Sequence, residues 1–154
     1  LTPWEESIRV PLVISGPNVK RGEECKNPVS LIDIFPTCID FANIEESHPL
    51  DGSTLRPLLE NPKYGIWGGP DFSLAACGSQ IKSDLHKPAL AQNQHFSIRT
   101  KQFRYIRCRN GEEELYDHYT DPNEWNNLSE SSFHKITLNS MRKRLDKALD
   151  NAIR

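Results

Sequence analysis

The chain has 154 residues, of which 36% are hydrophobic and 26% charged, and a formal net charge of −2. That length allows a domain with a real core, and that composition is too apolar for compositional disorder. The near-neutral balance argues against a nucleic-acid or anionic-membrane binder, and no apolar run approaches a membrane span. No signal peptide is visible, but the chain does not start on methionine, so this says nothing about compartment.

The opening "LTPWEESIRVPLVISGP" predicts a capped helical turn: Thr2 as cap, Pro3 at the first helical position, and Glu5 closing a capping box. A chain end usually frays, so a start this well specified is expected to be an interior step of a longer protein. Val10–Ile14 is apolar and β-branched and is closed by Gly16-Pro17, the pattern of a strand buried on both faces of a parallel sheet. "KRGEECKNP" is a polar loop. In "SLIDIFPTCIDFANI", Leu31, Ile34, Phe35, Cys38, Ile39 and Phe41 recur at mostly helical spacing, with Ser30 and Asp33 as a cap pair and Pro36 tolerable near the helix start. "LDGSTLRPLLENP" predicts a turn, a Ser53 cap and a short helix. Residues 63–92 are rich in Gly, Pro, Ser and Asn and predict long loops around one strand, "FSLAAC".

The second half changes character. "HFSIRT", "FRYIRC" and "EEELYD" alternate apolar and polar residues and are separated by "KQ" and by Asn110-Gly111, which predicts an antiparallel meander. Such a sheet needs a cover. Phe133, Ile136, Met141, Leu145, Ala148, Leu149 and Ile153 supply one at helical spacing. The fold class is therefore α/β, or α+β within these residues. The expected division is 1–60 as the end of a larger α/β domain and 61–154 as a subdomain of meander plus helix.

No catalytic constellation is complete. There is no G-x-S-x-G elbow and no phosphate-binding glycine loop. The four cysteines (Cys25, Cys38, Cys77, Cys108) are scattered, which favours structural thiols over zinc and leaves disulfides open. Glu112–Glu114 reads as a solvated edge. Asp117, His118, Asp121 and Glu124 resemble a metal-ligand set, but Asp-Pro turn chemistry explains most of it. Arg99 and Arg104 could bind an anion or pair with Glu112–Glu114 on the opposite strand, and the pairing is the simpler reading. His95 stands where the irregular segment ends and the meander begins. It is either a half-exposed strand-end histidine or a ring projecting toward a cleft.

Taken together, "TPWEESIRVPLVISGP", "PVSLIDIFPTCIDFANI", "LDGSTLRPLL" and "HFSIRTKQFRYIRCRNGEEELYDHYTDPNEWNNLS" resemble successive blocks, in order, of the C-terminal portion of formylglycine-dependent sulfatases. The likeness runs from residue 1 to about 130 and is nearest to the iduronate-2-sulfatase-like and related bacterial sulfatases. It implies an alkaline-phosphatase-like fold: a large α/β domain, then a small antiparallel sheet packed by a C-terminal helix. It also implies sulfate-ester hydrolysis, with sugar or glycosaminoglycan sulfates as the default substrates, and a periplasmic, secreted or lysosomal site. A phospho- or phosphonate-ester hydrolase of the same superfamily is the alternative; a stand-alone interaction module is the rival from another class.

In that family a formylglycine made within C/S-x-P-S-R attacks sulfur, and a divalent metal, usually calcium, neutralises the sulfate. None of the four cysteines stands in such a motif; their contexts are "ECKN", "TCID", "ACGS" and "RCRN". The resemblance therefore assigns this chain no catalytic residue and no metal ligand. Its implied partners are the upstream catalytic half of the same protein and a sulfated small molecule or saccharide. His95 matches a histidine often found before the "SIRT" block, which makes it the candidate substrate-binding residue.

Overall fold

A computed structural model describes residues 2–78 and 94–152. Four helices are α1 (Glu5–Ile8), α2 (Ile34–Phe41), α3 (Arg56–Glu60) and α4 (Lys135–Ala152). Four strands are β1 (Ser73–Gly78), β2 (Gln94–Arg99), β3 (Phe103–Arg107) and β4 (Glu113–Asp117), in one sheet of order β1-β2-β3-β4. Two compact units emerge: Leu1–Val10 with Leu74–Arg154, and Pro11–Ser73. This grouping concerns packing within the chain and is a separate matter from the expected membership of residues 1–60 in a larger domain. Among the described residues no helix is long and apolar enough to cross a membrane. The expected loop segment 79–92 lies outside the described residues.

The unit Pro11–Ser73 is organised by one buried carboxylate. A 3₁₀ turn, Leu31–Asp33, leads into α2, and a capping box joins Ser30 and Asp33 as their spacing predicts. Pro36 then falls in the first turn of α2, where an amide N–H would lack an intrahelical acceptor. Asp33 Oδ2 accepts the Ser30 N–H at 2.8 Å and Oδ1 accepts the Ser53 N–H at 2.9 Å. Thr37 Oγ1 accepts the Leu55 N–H at 2.8 Å while donating to Asp33 O. Residues 53–55 are thereby fastened to α2, and α3 starts from them. Ser53 is not its cap, because it stands two residues before the N-cap position, which Leu55 occupies; Thr54 Oγ1 takes the Arg56 N–H, at 3.2 Å.

Val10–Ile14 forms no strand, contrary to its pattern. A strand exists only with a partner ladder, and among the described residues none runs beside it. Val13 is 90% exposed.

The meander is as the alternation predicts. β2 pairs antiparallel with β3 (Phe96↔Arg107 through Arg99↔Arg104), and β3 with β4 (Phe103↔Asp117 through Arg107↔Glu113). Period two then sorts the side chains. Phe96, Ile98, Tyr105 and Leu115 share one face, against which α4 lays Leu138, Met141 and Leu145, all buried. Arg142 of α4 binds Glu113, and Asp146 binds Arg107 at 2.7 Å, at the edge of that core.

Phe133 and Ile136 do not join this stripe; they are 94% and 87% exposed. Ile136 lies about 200° around the helix from Leu138, and Phe133 precedes α4 in a 3₁₀ turn. Leu138 takes the inward position instead. β4 is an edge strand, and Asn127 covers part of that edge with its side chain: Oδ1 accepts the Leu115 N–H, and Nδ2 donates to Glu113 O.

Gly52 gives this packing a sharp test. A Cβ there would stand 2.2 Å from Ile32 O, a backbone atom that cannot swing away. Gly52→Ala is expected to cost about 1–3 kcal/mol in urea denaturation, as overpacking does. Gly68→Ala, with open space at its Cβ position, should cost far less.

Candidate functional site

The second face of the sheet carries Ser97 and Arg99 of β2, Arg104 and Ile106 of β3, and Glu114 and Tyr116 of β4. It is covered by residues 2–9 rather than by an apolar helix. Arg104 is its centre, 1% exposed. Nη1 donates to Ser97 Oγ at 2.7 Å and to Pro3 O at 3.3 Å, and Nη2 donates to Glu5 Oε2. Nε stands 2.5 Å from Glu124 Oε1 without lining up as a hydrogen bond, so that contact is charge against charge. Arg99 Nε adds a second cation on Glu5 at 3.2 Å.

These partners differ from the opposite-strand pairing that simple spacing favours. Arg104 faces Tyr116 across the ladder, Glu113 lies on the other face with Arg142, and Glu114 receives Trp4 Nε1 and the Tyr116 hydroxyl. Glu113 and Glu114 are therefore engaged rather than forming a solvated edge. Glu5, expected to close a capping box with Thr2, is drawn off by the two arginines. Thr2 Oγ1 instead hydrogen-bonds Ser7 Oγ, and Trp4 becomes the N-cap residue.

The loop 118–128 completes the cluster. Asp121 turns to the Asn126 N–H at 2.7 Å, and Asp117 takes the Tyr119 N–H at 3.0 Å, which is the turn chemistry expected there. Glu124 sits at φ 57°, a conformation uncommon for a side-chain-bearing residue, and that backbone delivers its carboxylate to the centre. Its Oε2 accepts the Glu5 N–H at 2.9 Å, and its Oε1 meets His118 Nε2 at 2.8 Å.

Glu5, His118 and Glu124 thus bring three donor atoms within 4.8 Å of one another, the spacing of a metal site. Two of the three already contact the Arg104 guanidinium, so a cation would have to displace one that is covalently attached. The donor set fits a structural ion network and does not fit a metal. Burial opposes the charges on Glu5 and Glu124. For Glu5, Arg104 and Arg99 outweigh that cost and hold its carboxyl below the ordinary range. For Glu124 the His118 hydrogen bond, the Glu5 amide and Arg104 do the same. Burial also lowers the pKa of Arg99, an effect that Glu5 partly opposes.

His95 lies at the opening of β2, on the same face as Ser97 and Arg99, and is half-buried. Its Nδ1 accepts the Arg109 N–H at 3.4 Å. It does not join the ion network, so the structure brings together only Arg99, Arg104, His118 and Glu124 of the residues the sequence singles out. Glu5 is the member that sequence reading misses, because its partners lie about a hundred residues away. The four cysteines are all free thiols.

Arg104→Met removes the shared cation from the partly buried carboxylates of Glu5 and Glu124, leaving Arg99 on one and His118 on the other, and is expected to cost about 3 kcal/mol, measured by denaturation of the whole protein. Both carboxylates ionise more readily folded than unfolded. Their stabilisation is therefore complete above the ordinary glutamate value of 4.5 and is lost as pH falls through the folded-state values. Glu5→Gln should flatten the acid-side fall of the melting temperature, and an unchanged slope would contradict the assignment.

Comparison with known proteins places this geometry. The family model for the C-terminal region of N-sulphoglucosamine sulphohydrolase matches residues 2–151. Human arylsulfatase K is 30% identical over 148 residues, covering 89% of this chain and 25% of its own. An N-acetylglucosamine-6-O-sulfatase of Bacteroides thetaiotaomicron is 31% identical over 128 residues, covering 81% and 22%. A protein solved in complex with its substrate D-glucosamine-2-N,6-O-disulfate superposes with a TM-score of 0.61 at 25% identity, over 77% of this chain and 23% of its own. The chain thus spans about a quarter of the length of the relatives it matches. A match running from residue 2 to residue 151 and a shared sheet-and-helix fold make this chain a member of the N-sulphoglucosamine sulphohydrolase C-terminal family, within the sulfatases of alkaline-phosphatase-like fold.

Proposed function

We propose that these residues form the C-terminal part of a sulfatase that hydrolyses sulfate esters of a sugar or glycosaminoglycan, shaping one wall of the substrate pocket. The family match over residues 2–151 carries this reading. The sulfated-sugar class rests on what the relatives are named for: a 6-O-sulfatase of N-acetylglucosamine, and a protein that takes glucosamine disulfate.

In this reading the formylglycine and calcium of such enzymes are not held by the described residues. No cysteine or serine stands in C/S-x-P-S-R, and of the Glu5–His118–Glu124 donors the two carboxylates are held by Arg104 and His118 is held by Glu124. In this reading nucleophile and metal come from the remainder of the protein.

The partner for these residues is that upstream catalytic part. Residues 1–60 belong with it as the end of its α/β domain, and 61–154 form the pocket-lining subdomain. Exposed apolar groups within Pro11–Ser73 support this assignment. Leu31 and Ile32 in the 3₁₀ turn before α2, Phe35 in its first turn, and Val13 are large hydrophobic side chains exposed to solvent. An apolar patch of this kind is stable when covered, and the run Val10–Ile14 has the composition of a strand awaiting a ladder. Expressed alone, residues 1–154 are expected to self-associate and to show no sulfatase activity. A monomer that unfolds cooperatively would contradict the assignment.

His95 is the substrate-contacting residue of this wall. In the whole enzyme, His95→Ala is expected to lower kcat/KM for the sulfated sugar about tenfold or more, as loss of a hydrogen bond to a charged group does. An unchanged kcat/KM would remove His95 from the pocket. Release of phosphonate rather than sulfate by the whole enzyme would overturn the sulfatase reading itself.

A further inference from the structure

The end of the β2–β3 ladder contains an atom-level detail that bears on how His95 works. The last paired residues there are Phe96 and Arg107. Beyond them β3 leaves the ladder and turns: the Gly111 N–H donates to Cys108 O at 2.9 Å, and the Cys108 N–H to Glu112 O at 2.8 Å. Gly111 has φ +88°, a conformation that favours glycine, and Asn110 Oδ1 accepts the Glu112 N–H at 3.2 Å. These bonds fix the direction of the Arg109 N–H. It donates to the ring of the residue next to Phe96, reaching His95 Nδ1 at 3.4 Å.

A neutral imidazole carries one proton, and a nitrogen that accepts cannot be the one that holds it. The two nitrogens of His95 are therefore not equivalent. We infer that the Arg109 backbone amide, positioned by the Asn110–Gly111 turn, holds His95 as the Nε2–H tautomer, so that Nε2 is the atom offered to substrate and it acts as a hydrogen-bond donor. This rests on the reading of His95 as a pocket residue. The group that Nε2–H recognises is an acceptor oxygen of the sugar, a hydroxyl, carboxylate or sulfate oxygen. His95 then serves as a positioned donor for binding and orientation, not as a general base, because a base needs the same nitrogen free of its proton. The turn residues Arg109 to Gly111 are positioning residues that act through the ring.

The test uses two amide replacements in the whole enzyme. A glutamine amide nitrogen reaches about where Nε2 stands, and an asparagine amide only about where Nδ1 stands. His95→Gln is expected to keep kcat/KM within about threefold of the parent, and His95→Asn to fall about tenfold or more, close to His95→Ala. Asparagine retaining activity while glutamine loses it would overturn the tautomer assignment and leave the pocket role intact. Both replacements falling as far as alanine would also overturn it, since the ring itself would then be required. If alanine has no effect, the pocket role fails and the inference fails with it. A second reading does not depend on the variants: two-bond ¹⁵N–¹H correlation on the histidine-labelled whole enzyme should show Nδ1 unprotonated and Nε2 protonated for His95. The opposite pattern would sink the proposal.

Discussion

The buried guanidinium of Arg104 is the constraint on which the sheet-bearing unit depends. Removing a charge of this size from water costs several kcal/mol even after relaxation, and it is tolerated only where counter-charges and hydrogen bonds replace the lost water. Arg104 meets that requirement from three distant parts of the sequence: Glu5 and Pro3 near one end, Ser97 on the neighbouring strand, and Glu124 from the loop after β4. Two arginines, Arg99 and Arg104, face two glutamates, Glu5 and Glu124, so the guanidinium and carboxylate charges of the cluster balance. The unusual backbone at Glu124 follows from the same need, since a left-handed residue there delivers a carboxylate to a site that the turn would otherwise miss.

The sheet is consequently asymmetric. One face is a dry core of Phe96, Ile98, Tyr105 and Leu115 under α4, sealed at its margin by Glu113 with Arg142. The Arg142 hydrogen bond is the main reason the Glu113 carboxyl lies below the ordinary range, and burial together with Glu113 pushes the Tyr105 hydroxyl up. The other face is ionic and binds residues 2–9. An apolar face would accept many coverings of similar shape, whereas a centre of fixed charges accepts the one segment whose carboxylate falls in register. The ion network thus fixes which part of the chain lies on the sheet, and at what register.

Much of this fold is legible in the residues. Alternation in "HFSIRT" and "FRYIRC" gives the meander, Asn110-Gly111 its second turn, and Ser30 with Asp33 the entry to α2, because each of these signals is local. What is not legible depends on partners far away in sequence. Glu5 is three residues from Thr2 and about a hundred from Arg104, so spacing reads a capping box where charge selects the ion pair. Val10–Ile14 has strand composition, but a strand is a relation between two segments. In α4, Ile136 has the right residue type on the wrong side of the helix, which a count of apolar positions does not detect until Leu138, Met141 and Leu145 define the buried side. His95 is visible only as a histidine at a strand opening; its engagement by the Arg109 amide depends on where the ladder stops.

The chemistry of these residues also bears on what the chain contributes to an enzyme. Carboxylates, histidines and arginines are the usual instruments of catalysis, yet those gathered around Arg104, at Glu113 and at Asp33 are committed to partners within the chain. Glu5 and Glu124 are tied to Arg104, His118 to Glu124, Glu113 to Arg142, and Asp33 to the backbone of Ser30 and Ser53. A carboxylate held below its ordinary range by a buried cation, as those of Glu5 and Glu124 are by Arg104, has that partner to lose before it can take a substrate proton or a metal. Charge arranged in this way serves shape. His95 differs because its one hydrogen bond from Arg109 orients the ring without consuming the second nitrogen. Under the proposed reading, that arrangement suits a residue whose task is to present a donor.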